Sequence, residues 1–191
     1  MRRFFQVKHI LLITALFTTD CTCQVNKEIE SFVKLPVHIP YQEMDQRVCS
    51  MYADSLSTGK TLRLVNYIVS LDCSTCALSH MAAAENLMKN QDELKGVKSV
   101  YVIETSSKEA ESLYFAFCNA RIEGTVYLDT CNAFRRANPH IPDNPLFHTF
   151  LLNDEDSVLL VGDPFKNEKM ERLFLKVIER ERERKGNKLR D

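Results

Sequence analysis

Cys73 and Cys76 are separated only by Ser74 and Thr75, within the stretch VSLDCSTCALSHM that runs from Val69 to Met81. Two thiols at this spacing can close a disulfide, exchange it with another, or ligate a soft metal. An apolar run precedes the pair and a helical pattern follows it. A thiolate in the first turn of a helix is stabilised by unpaired backbone N–H groups and by the helix dipole. Cys73 is therefore the candidate nucleophile. Cys76, one turn further, is the candidate resolving thiol, which attacks Cys73 and releases a reduced substrate. Ser74 and Thr75 offer hydroxyls but no positive charge. The adjacent Asp72 opposes a thiolate by like-charge repulsion, which suits a reductase or isomerase better than a strong oxidant. A rival chemistry uses His80, which completes a C-x2-C-x3-H spacing suited to Cu(I) or Zn²⁺. No Ser/His/Asp arrangement, HExxH or Gly-rich phosphate loop occurs, and the chain has five glycines, so no nucleotide or other cofactor is expected.

The elements that must position the pair are legible around it. Residues 62–70 are short, apolar and rich in branched side chains, as in a buried strand. After the cysteines, Ala77, Met81, Ala84 and Met88 recur at helical spacing, flanked by Leu78 and Leu87, and the helix should stop before Gly96. Residues 97–105 read as the next strand. Ser106 and Glu109 form a capping-box pattern ahead of a helix with Ala110, Leu113, Tyr114, Phe117 and Cys118 on one face. A third strand covers 125–130, followed by a short helix or turn and the proline loop HIPDNP. The runs FHTFLL and SVLLVG flank the turn NDED as a hairpin, and Asn167 can cap a last helix. Strands that alternate with helices pair in parallel through crossovers, and the hairpin adds antiparallel strands. The expected fold is α/β, a mixed central sheet with helices on both faces.

The expected organisation is a leader over 1–23, an N-terminal extension over 24–60, the domain over 61–180 and a charged, solvated tail over 181–191. Arg2, Arg3 and Lys8 precede an apolar run from Ile10 to Phe17 that is too short to span a bilayer, as in an export signal. Cys21 stands where a bacterial lipoprotein carries its lipidated cysteine, with Cys23 and a simple cut near Gln24 as alternatives. Each places the mature chain outside the cytoplasm, in the periplasm or cell envelope, where disulfides persist. The net charge of −1 gives no basic field for nucleic acid. The seven cysteines are too few for a disulfide scaffold. Cys118 reads as a core residue and Cys131 as buried after a strand, while Cys49 has no partner that sequence can choose.

The order of elements, YIVSLDCSTC, and the closing HTFLLNDEDSVLLVGDPFKNEKMERLFLKVI resemble the thioredoxin fold. Within it they resemble the TlpA-like envelope redoxins, of the lipoprotein kind common in Bacteroidetes. The resemblance covers about residues 60–180. It implies thiol–disulfide exchange on protein disulfides through Cys73 and Cys76, with an upstream redox partner and a lipid anchor on the membrane. It also implies a substrate-binding loop at Phe147 and His148. Three positions depart from the family. Asp72 replaces a tryptophan, Phe147 replaces a cis-proline (Pro142 and Pro145 being nearby), and LVNYIVS holds no buried acid. Near Asn153 the family usually has Asp. His148 lies where the family's proline loop meets the thiols, so the metal alternative comprises Cys73, Cys76, His80 and His148. A non-catalytic binding module on the same fold is the other alternative.

Overall fold

The computed structural model describes residues 25–48, 61–69, 74–122 and 124–188. Cys21, Cys23, Cys49, Asp72 and Cys73 lie outside them. A helix, α1, covers 25–33. Then follow β1 (Asp45–Val48), β2 (Leu62–Ile68), α2 (Ser74–Asn90), β3 (Val97–Glu104), α3 (Ala110–Asn119), β4 (Thr125–Asp129) and α4 (Ala133–Ala137). The hairpin β5 (Thr149–Leu152) and β6 (Val158–Val161) precedes α5 (Glu168–Lys188). The sheet runs β1-β4-β3-β2-β5-β6. β2, β3 and β4 are parallel, while β1 against β4, β5 against β2 and β6 against β5 are antiparallel. This is the expected mixed sheet.

Alternation along the strands builds two layers. Val65, Tyr67, Val100, Val102, Tyr127, Phe150 and Leu152 face one side, packed with Phe32 of α1 and Phe134 of α4. Leu62, Leu64 and Leu151 face the other side with Phe174 and Ile178 of α5. On that same side Tyr101, Ile103, Val126 and Leu128 meet Phe117 of α3 and Leu78, Met81 and Ala82 of α2. Helices therefore cover both faces. Five successive buried residues in β3, Ser99 to Ile103, mark it as a central strand. Among the described residues no helix is long and apolar enough to cross a membrane.

Several expectations change. The stretch expected as an extension joins the core: Phe32, Val37, Ile39 and Met44 are buried, and β1 is an edge strand on β4. β1 carries little signal of its own, because only four residues pair. At 106–109 no capping box forms. Ser106 Oγ donates to Glu109 Oε2 at 2.7 Å, side chain to side chain, and a turn precedes a helix that starts at Ala110. Cys118 is half-buried and Cys131 exposed, both as free thiols. Cys131 sits in the turn after β4, where Asp129 takes the buried position. α5 continues unbroken past 180 to Lys188, and Glu181 is buried, so the charged segment is not wholly solvated. Asn167 caps α5 as expected, its Oδ1 accepting the Met170 N–H at 3.0 Å.

On α2 the buried stripe is rotated from the expected one. Leu87 is 43 % exposed, whereas Glu85 is only 8 % exposed. The reason is a hydrogen bond: the Tyr101 hydroxyl donates to Glu85 Oε1 at 2.7 Å. Burial, with the Glu85 charge beside it, pushes the Tyr101 phenol far above its ordinary range. Gly124 closes over this pair. A Cβ there would lie 2.5 Å from Tyr101 Cε2 and 3.0 Å from Glu85 Oε1. Tyr101 cannot retreat, being packed against Phe117 and tied by its hydroxyl. Gly124→Ala should therefore cost about 1–3 kcal/mol, the usual overpacking penalty. The measurement is the urea midpoint at unchanged m-value.

Candidate functional site

The candidate site is assembled at the C-terminal ends of β2 and β3, where ligands of open α/β sheets commonly bind. β2 ends at Ile68, and α2 is helical from Ser74. Cys73, outside the described residues, immediately precedes that first helical residue, and Cys76 lies in the first turn of α2. The strand and the helix expected on either side of the pair are therefore present.

The Phe147–His148 loop is fastened to β2. A 3-10 turn, Pro145–Phe147, leads into β5, with the Leu146 N–H donating to Asn144 Oδ1 at 3.1 Å. The Tyr67 N–H donates to the His148 carbonyl at 2.8 Å, pinning the loop to the strand that feeds the cysteines. Phe147 and His148 are each 6 % exposed. No peptide bond among the described residues is cis, including those at Pro142, Pro145 and Phe147. Val69, just past β2, and Leu146, in the turn before β5, are exposed apolar side chains.

Under the loop lies a polar group that the sequence reading missed. The Tyr67 hydroxyl hydrogen-bonds Glu104, at the end of β3. Burial and the Glu104 carboxylate raise the Tyr67 phenol far above its ordinary range. The Tyr67 ring packs between Phe134 and His148, with both centroids 4.8 Å away. Arg135 of α4 donates to the Ile141 carbonyl at 2.8 Å and pairs with Asp143. β2 carries no carboxylate, as read from the sequence, yet its neighbour β3 supplies one. Strand pairing, which a single segment does not display, is what brings it there.

Tyr67, Glu104, Arg135, Asp143 and His148 line a cavity of about 580 Å³, together with Met81, Met88 and Phe165. A second hollow of about 530 Å³ shares His80, Pro145, Thr149 and Asp163 with it. His80 Nε2 stands 3.3 Å from Asp163 Oδ2. His148 Nε2 makes a 2.9 Å hydrogen bond with the Pro142 carbonyl. The two histidines of the metal alternative thus each have a protein partner.

Burial lowers the His148 imidazole below its ordinary value of 6.5, against the opposing effect of the Pro142 hydrogen bond. His140 is lowered for the same reason. A base depressed in the folded state binds fewer protons there than when unfolded. Its contribution to stability is intact above pH 6.5 and is lost as pH falls from there through the folded-state value. Folding stability should decline on acidification below that point. His148→Gln should flatten the decline in part, leaving the share from His140, as read by denaturant midpoints across pH.

No family model matches the chain, and no curated protein matches it. Solved structures do. One is the solution structure of an uncharacterized thioredoxin-like protein from Porphyromonas gingivalis: 16% identical, covering 75% of this chain and 92% of that one, TM-score 0.50. Another is the solution structure of a thioredoxin-like protein in the oxidized form: 13% identical, covering 76% of this chain and 95% of that one, TM-score 0.51.

Proposed function

On a chain that has the thioredoxin-like fold, we propose thiol–disulfide exchange with protein disulfides through Cys73 and Cys76. The observation that supports the reading is the junction between β2 and α2, across which the sequence carries the CxxC pair, with a loop pinned to β2 through His148. Cys73 attacks the substrate disulfide, and Cys76 resolves the mixed disulfide. The x-x residues and Asp72 favour reduction or isomerisation over strong oxidation. The leader pattern supports export to the periplasm or cell envelope, with Cys21 as the lipidated residue and a lipid anchor on the membrane. The substrates are protein disulfides, and an upstream dithiol donor restores the reduced pair.

The chain from residue 24 onward should accelerate insulin-disulfide reduction by dithiothreitol. Cys73→Ser should return the rate to background. An unchanged rate in that variant, or no acceleration by the unmodified chain, overturns the enzymatic reading. One observation favours a second reading, a non-catalytic binding module: buried Phe147 stands in the loop where the resembled family has proline. Such a module would bind a partner with the same affinity after Cys73→Ser.

A further inference from the structure

The cavity of about 580 Å³ lies within the size range of small-molecule sites, and thiol exchange makes no use of its lining. It reaches both faces of the sheet around the end of β2. Tyr67 belongs to the layer that holds Phe32 and Phe134, whereas Leu64, Met81 and Met88 belong to the opposite layer, and all four line the cavity. The part under α2 is apolar and adaptable, because thioethers are polarizable and pack well against aromatic rings. The Ser99 hydroxyl donates to the Met88 sulfur at 3.2 Å, which sets that side chain against β3. Glu104 lies five residues beyond Ser99 on the same strand, a distance of about 16 Å. Met81, seven residues before Met88 on α2, is about 10 Å nearer the Glu104 end. The cavity is therefore elongated, apolar along α2 and polar at the end of β3.

Its charge is negative. Among the described lining residues Glu104, Asp143 and Asp163 stand against Arg135, and even a protonated His80 leaves one carboxylate in excess. Burial keeps the His148 imidazole neutral near pH 7. Two of the carboxylates already have charged or backbone partners. Asp143 pairs with Arg135. Asp163 accepts the Phe165 N–H at 2.9 Å, and its other oxygen lies 3.3 Å from His80 Nε2. Half-buried Glu104 accepts instead the hydroxyl of Tyr67, a phenol raised too far to ionise near pH 7. That neutral donor leaves the Glu104 charge in place, in surroundings where an opposite charge is attracted more strongly than in bulk water. We propose that the cavity binds an amphipathic organic cation of the aryl-alkylammonium class, with the ammonium on Glu104 and the apolar body along Met81 toward Met88. The charge balance that attracts such a cation rejects an anion of the same shape. The proposal stands apart from the exchange reading, since no cysteine takes part in it.

The experiment uses the full chain with carbon-13 in its methionine methyls, read by NMR. Met81→Leu and Met88→Leu chains assign the two reporting signals. The titrants are 6-phenylhexylamine, 6-phenylhexanol and 7-phenylheptanoate, which share one shape and differ in charge near pH 7. The amine should shift the Met81 methyl with a Kd of about 1 mM or tighter. It should bind at least about tenfold more tightly than the carboxylate, with the alcohol between them. Glu104→Gln should weaken the amine by about three- to tenfold and leave the alcohol unchanged. The amide oxygen of that variant still accepts the Tyr67 hydroxyl. Ala84, on the cavity wall between the two methionines, tests the place. Ala84→Leu fills the space with a good helix former and should abolish the shift. Absence of a shift at either methyl, or equal affinity for amine and carboxylate, overturns the inference in the unsubstituted chain, whatever the variants do. An amine affinity unchanged by Glu104→Gln, or one that survives Ala84→Leu, overturns it as well when the urea midpoint shows the variant folded. None of these results bears on insulin reduction, so the exchange reading is decided separately.

Discussion

Replacing Asp129 with alanine should destabilise the fold by about 3–5 kcal/mol, the range in which a buried hydrogen-bond network is lost. Asp129 ends β4 and is fully buried. Its Oδ1 accepts the Ala133 N–H at 2.9 Å and the Cys131 N–H at 3.3 Å, and its Oδ2 accepts the Phe134 N–H at 2.9 Å. Asn132, adjacent to α4, makes no side-chain cap and holds a left-handed backbone at φ 57°. Asp129 therefore does the capping from within the strand. Alanine leaves these donors without their acceptor, two of them in buried surroundings, and each such group costs about 1–3 kcal/mol. Asn should cost less, because it keeps one acceptor oxygen. The loss should not stay local. α4 carries Phe134, packed on Tyr67, and Arg135, which ties down the Ile141–Asp143 segment. Hydrogen exchange should therefore quicken at the Tyr67 amide as well as in α4, and the denaturant midpoint gives the total. An Asp129→Ala midpoint within about 1 kcal/mol of the parent contradicts the capping role.

The same network shows which parts of the molecule the sequence discloses. β2 and β3 announce themselves by unbroken apolar runs, and the β5–β6 hairpin by a polar turn between two such runs. That turn is closed by Asn153, whose Oδ1 accepts the Glu155 and Ser157 N–H groups at 3.0 and 2.9 Å. These are local signals, set by nearest neighbours along the chain. Asp129, Glu104 and Glu85 are charged residues at the end of a strand or inside a helix, and each reads as solvated until its partner is known. The partners come from other elements: the α4 amides for Asp129, Tyr67 for Glu104 and Tyr101 for Glu85. The four-residue edge strand β1 is illegible for the same reason, because its pairing is with β4, almost eighty residues on. The cysteine pair is readable because its chemistry depends on spacing alone. The acid, the arginine and the His80–Asp163 pair near it depend on how strands and turns meet.

Cys76→Ser should convert a transient intermediate into a stable one. In the proposed exchange, attack by Cys73 leaves the substrate covalently attached, and release depends on the second thiol of the pair. An intramolecular nucleophile held at the reacting bond acts with a very high effective concentration, on the order of 10⁵ M or more when well oriented. Without Cys76, release falls to external thiols at millimolar levels, so the adduct should persist at least about a thousandfold longer. Non-reducing gels of the Cys76→Ser chain mixed with a disulfide-bonded protein should show a covalent complex that dithiothreitol dissolves. Cys73→Ser, alone or combined with Cys76→Ser, should show none. The exposed Cys131 thiol offers a competing attachment point. The trap is therefore read in a Cys131→Ser background, where a complex formed without Cys73 would assign the nucleophile to another cysteine. The exposed side chains of Val69 and Leu146 add a directional expectation. Substrates with apolar residues flanking the disulfide should be trapped faster than those with charged ones, because burying those side chains removes apolar surface from water. Equal trapping rates for the two would detach substrate choice from the loop at Phe147 and His148, while leaving the assignment of the thiols to the persistence of the complex.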